Sequence, residues 1–133
     1  MGKKLANLGF LVVVSLIFSH CANKGTASGG PKDELPPVII KSIPENFSLN
    51  FDSKEIIIYF DEYIKMKDLQ KQLLISPLMN PEPEIIPVGS ASKYIKIKIL
   101  DTLQANTTYA FNFGESIVDN NADNVFSNYK YIL

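Results

Sequence analysis

The chain has no tryptophan and no arginine, and its only histidine and only cysteine stand side by side as His20 and Cys21. Past residue 21 there is no imidazole and no thiol. A Ser-His-Asp or Cys-His constellation and a His- or Cys-ligated zinc are thereby excluded, leaving carboxylate and lysine chemistry. Disulfides are excluded too, so any fold rests on its apolar core. All thirteen basic residues are lysines, which removes the planar fork of bidentate phosphate recognition. Past residue 20, eleven lysines face fourteen acidic side chains, scattered or alternating with apolar residues rather than forming a basic patch. No nucleic-acid partner is expected. No cofactor is implied, and no catalytic residues are assigned.

What is present begins with Lys3 and Lys4, followed by an apolar run from Leu8 to Phe18. The run is too short to span a bilayer comfortably and reads as the h-region of an export signal over residues 1–20. Ser19 and Cys21 close it in a pattern that resembles the lipobox of lipoprotein precursors, in which the cysteine is acylated and becomes the first residue. His20 departs from that pattern, where Gly, Ala or Ser is usual. Cys21 is the expected lipidation site, and a lipid membrane the expected partner through it. Residues 21–36 carry Gly, Ser, Pro and charged residues with little apolar content and read as a flexible tether, with a root-mean-square span of about 20–24 Å. Residues 37–133 suffice for one domain.

From Val38 the period becomes two. Val38–Ile43 is an expected strand ended by Pro44, and Phe47–Phe51 a second short segment. Lys54–Phe60 has apolar residues on both faces, as a central strand has. Asp61–Gln72 is polar, with Leu69 and Leu73 spaced for one helical turn. Leu73–Ser76 ends at Pro77, and Pro77, Pro81, Pro83 and Pro87 confine the next stretch to turns and edge strands. Lys93–Leu100 alternates most clearly, with Ile95, Ile97 and Ile99 opposite Tyr94, Lys96 and Lys98. Thr108–Phe113 repeats the pattern with Tyr109, Phe111 and Phe113 inward, and Gly114 stops it. After the loop Asp119–Asn124, Phe126–Leu133 is the expected last strand. Seven to eight short strands without a long helical period predict an all-β antiparallel sandwich. Its expected core is Ile56, Ile58, Phe60, Ile95, Ile97, Tyr109 and Phe111.

The segments PPVIIKSIPEN, EIIIYFDEYI, LLISP, KYIKIKI, LQANTTYAFNF and IVDNNADN, in that order, resemble the bacterial Ig-like domain of surface-layer type found in lipoproteins of Bacteroidota. The linker GGPKDELPP resembles the start of that group. The resemblance implies an Ig-like sandwich with no enzymatic activity. It would serve as a spacer or protein-binding module among envelope proteins. Ala22, with no aspartate after the cysteine, implies the outer membrane, and the lack of an acidic run there its periplasmic face. Members of the group continue past this domain, which raises the alternative of a fragment of a longer lipoprotein.

Four local features bear on function. Leu103, Thr107 and Tyr109 match a tyrosine corner, a structural role. Asp119, Asn121 and Asp123 occupy the first ligand positions of a calcium loop, but Asn124 and Lys130 replace its glycine and closing glutamate, so an Asx-rich turn is the stronger reading. Asp61 and Glu62 are adjacent on a strand and read as a solvated strand end rather than a catalytic pair. Tyr59, Tyr94 and Tyr131 are expected to be exposed, which keeps carbohydrate binding and calcium-dependent adhesion as alternatives.

Overall fold

The computed structural model describes residues 29–133; the apolar run, Cys21 and the first half of the expected tether lie outside the described residues. Among the described residues no helix is long and apolar enough to cross a membrane. The folded unit runs Lys32–Leu133.

Its strands are β1 (Ile39–Ile43), β2 (Glu55–Met66), β3 (Leu74–Ser76), β4 (Glu84–Ile86), β5 (Ser92–Lys98), β6 (Ala110–Asn112), β7 (Ile117–Asp119) and β8 (Lys130–Ile132), with one helical turn, α1 (Leu69–Gln72), before β3. One sheet has the order β1-β2-β5-β4, and the other β3-β6-β8. All pairings are antiparallel. The expected all-β sandwich is what forms. The four-plus-three order is that of a constant-type immunoglobulin domain, to which β7 adds a short strand.

β2 is the spine. Ile56, Ile58 and Phe60 alternate inward, and Ile57 and Tyr59 face out half-exposed. Contrary to the expected end at Phe60, β2 runs on to Met66 through an irregularity between Tyr59 and Ile64. Ile64 pairs with Ser92 of β5 on one edge and with Asp119 of β7 on the other. β1 and β7 therefore share one edge of β2 in succession. Ile64, in phase with Ile56, Ile58 and Phe60, stays in the core, and Asp61 and Glu62 lie in mid-strand, correcting their reading as a strand end. Asp61 Oδ1 accepts the Val38 N–H at 2.8 Å.

Phe47–Phe51 is not a strand. Phe47 and Asn50 have φ of 64° and 54°, left-handed values that break an extended run. The preceding residue does a strand's work with its side chain. Asn46 Oδ1 accepts the Ile132 N–H at 2.8 Å and its Nδ2 donates to the Lys130 carbonyl at 2.9 Å, while Phe47 N–H donates to the Ile132 carbonyl at 2.9 Å. The outer edge of β8 is thus covered, and β4 is flanked by Pro83 and Pro87, devices that blunt strand-to-strand aggregation. The last strand is shorter than expected. Before Lys130 the chain turns through Asn128, whose φ is 59°, and its N–H bonds to the Gly114 carbonyl at 2.7 Å.

The core lies between the sheets. Every residue of the expected core is at most 3% exposed, joined by Ile64, Met79, Ile99, Phe113, Ile117 and Tyr131. Tyr131 is wholly buried, correcting its place among the exposed tyrosines, and its hydroxyl donates to the Pro44 carbonyl at 2.9 Å. Phe126 meets Phe60 edge-on at 6.1 Å and Tyr129 at 5.7 Å, and Tyr129 stacks on Phe113 at 6.0 Å. This chain of rings brings the 126–129 turn into the core. Burial pushes the Tyr129 phenol up to about 12, with Tyr131 adding to the effect.

Candidate functional site

Three regions carry the residues that the sequence singles out. Cys21 lies outside the described residues. Tyr109 directly precedes β6, and its hydroxyl accepts the Gln104 N–H at 3.1 Å, five residues upstream. This is the tyrosine-corner contact, and it leaves the ring buried rather than presented to a ligand.

Asp119 ends β7 and is wholly buried. Its Oδ1 accepts the Asn121 and Ala122 N–H groups, each at 2.6 Å, and its Oδ2 accepts the Asn124 N–H at 2.9 Å. Burial alone would raise this carboxyl's pKa, but the backbone donors of Ala122, Asn124, Asn121 and Asp123 outweigh it and hold the group below the usual carboxylate range. Asp123 turns the other way, toward Lys65 Nζ at 3.1 Å and Lys67 Nζ at 3.7 Å. The Lys65 hydrogen bond is the main cause of its lowered pKa. Asp119 and Asp123 thus spend their oxygens on backbone and on lysines. Among the described residues no three His, Cys, Asp or Glu side chains gather as a metal cage.

The same loop fastens the incoming chain. Asn124 Nδ2 donates to the Asp33 carbonyl at 3.1 Å and to the Leu35 carbonyl at 3.0 Å. Residues 33–36, expected to be tether, therefore belong to the folded unit. Burial, then the carboxylates of Asp119, Asp33 and Asp61, raise the Glu62 pKa against the pull of Lys93.

A concavity lies elsewhere, lined by residues of the edge strands β3 and β4 and of the segments beside them. It is a groove of about 760 Å³, floored by Met79 and walled by Ile75 and Ile85. Its rim carries Leu78, Val88 and Leu74, which are 80%, 76% and 64% exposed. Three large aliphatic side chains standing in water around one groove mark an interaction surface more strongly than the same residues scattered singly. The sequence hinted at it only by the apolar Leu78, Met79 and Val88 among prolines, where no strand period applies.

The bacterial Ig-like domain matches residues 33–132. The chain belongs to this family. No curated protein and no solved structure matches it. The matched span begins at Asp33, where Asn124 ties the chain down, so the family boundary and the structural one agree. Bacterial Ig-like domains occur in surface and envelope proteins and are generally non-catalytic modules. Within this Ig-like domain Asp119 and Tyr109 are holding groups of the scaffold, and the groove is the surface that the scaffold leaves unfilled.

Proposed function

We propose that the protein is an envelope lipoprotein, of the type found in Bacteroidota, held at the periplasmic face of the outer membrane through acylated Cys21. Its Ig-like domain works as a protein-binding module without catalytic chemistry. The observation that carries the binding role is the groove between β3 and β4, where Asp68, Lys71 and Glu82 stand beside an exposed aliphatic rim, because a plain spacer gains nothing from solvating Leu74, Leu78 and Val88 together. A partner segment that fills it removes that apolar area from water at about 25 cal/mol per Å². A photo-crosslinking residue at position 78, in cells of the source type, should yield one discrete adduct of higher mass, and the same residue at exposed Lys130 should not. Identical adduct patterns at the two positions, or none at 78, would remove the groove from the account.

A further inference from the structure

The outer face of the larger sheet, on the opposite side of the sandwich core from β3, β6 and β8, holds a second surface. Cross-strand register sorts its side chains into three rows. Lys41, Tyr59 and Tyr94 form the first, Ile43, Ile57, Lys96 and Ile86 the second, and Glu55, Lys98 and Glu84 the third. Tyr59 and Tyr94 are direct cross-strand partners with ring centroids 6.1 Å apart and planes tilted by 50°. Tyr94 is 40% exposed. Lys41 Nζ sits 4.9 Å over the Tyr59 ring.

Charge and area decide what such a face can hold. Lys96 has the Glu55 carboxylate at 2.8 Å, and Lys98 has Glu84 at 3.4 Å. Among the described residues Lys41 has no carboxylate partner, so the aromatic row ends in the one uncompensated cation of this face. With strands about 4.8 Å apart and rows about 6.8 Å apart, the ten side chains make a platform of roughly 300 Å². A stable protein interface buries about 800 Å² per partner, so a second copy or another folded protein finds too little here. A narrow ligand with flat C–H faces and an anionic substituent meets the rings and the lysine together. We infer that this face binds an acidic polysaccharide, a pyranose ring on the exposed Tyr94 and its carboxylate or sulfate at Lys41, which Tyr59 holds beside it. The site is separate from the groove and does not depend on it.

The test uses the full chain in detergent with three soluble polymers, namely polygalacturonate, dextran sulfate and uncharged dextran. Variants are Tyr94→Ala and Lys41→Gln, with thermal melting by circular dichroism to show that each is folded. Either anionic polymer should bind, with carboxylate and sulfate sources separated by which of the two does. Binding should weaken about five- to tenfold in Tyr94→Ala and about two- to fivefold in Lys41→Gln at low salt. Unchanged binding in both folded variants would place the polymer elsewhere and overturn the assignment. Dextran binding as tightly as the anionic polymers would overturn the acidic class, and so would no binding of any polymer at millimolar sugar. Sedimentation showing a dimer that Tyr94→Ala dissolves would give the face to a second copy instead.

Discussion

Replacing Asp119 is the sharpest probe of how the 119–124 loop is held. In Asp119→Ala three backbone N–H groups lose their acceptor. A hydrogen bond to a charged group contributes about 1.5–3 kcal/mol net. Asn121 is exposed, so its N–H finds water again, whereas Ala122 and Asn124 are half-buried and recover less. The expected loss is about 2–4 kcal/mol, or roughly 10–25 °C in Tm for a domain near 100 residues. Asp119→Asn keeps one acceptor oxygen but points an amide donor at a backbone N–H, so about half that loss is expected. The pH dependence follows from the lowered pKa of Asp119. A carboxylate whose folded pKa lies below its unfolded value of about 3.9 contributes fully above that value and loses the contribution as pH falls through the folded pKa. The gap between wild type and Asp119→Asn should therefore be constant from about pH 8 to 5 and close below about pH 4. Thermal unfolding of the detergent-solubilised chain across that range measures it. Equal midpoints for wild type and Asp119→Ala would refute the clamp, and a wild-type midpoint raised by millimolar calcium would return Asp119, Asn121 and Asp123 to the role of metal ligands.

Two further outcomes test the core. Ile97→Ala should cost about 2–5 kcal/mol, since Ile97 is wholly buried, while Lys96→Ala loses only a partly exposed ion pair with Glu55 and should cost about 1 kcal/mol or less; urea titration gives both, and a costlier lysine change would mean a register off by one residue. Deleting residues 128–133 removes β8 and buried Tyr131 and should abolish the cooperative urea transition; an unchanged midpoint would make the segment dispensable.

The parts of the fold legible in the sequence are those where one face of a strand is buried and the other wet. β5 and β6 alternate most clearly, so Ile95, Ile97 and Phe111 could be placed inward from spacing alone, whereas the start of β2, apolar on both faces, could be read only as a central strand. β7 could not be read. Ile117, Val118 and Asp119 are all buried, which erases alternation, and the buried carboxylate at the end looks like the start of a loop until its backbone donors are known. The β2 irregularity was equally hidden, because pairing with β1 and β7, not local preference, carries the strand past Asp61. Phe47–Phe51 misled because an alternating apolar pattern says nothing about the left-handed φ of Phe47 or about Asn46 standing in for a strand. The groove depends on two consecutive edge strands being placed in different sheets, and the Tyr59–Tyr94 pair on a register between β2 and β5. Neither is a property of any one segment.

Fractionation of cells expressing wild type and Cys21→Ser, fed a labelled palmitate analogue, tests whether the proposed binding module is held at a membrane through Cys21. The wild type should carry label and stay with the membrane after high-salt washing, and Cys21→Ser should give an unlabelled, unprocessed or soluble product; equal membrane partition of the two, with no label on either, would rule out the lipid anchor.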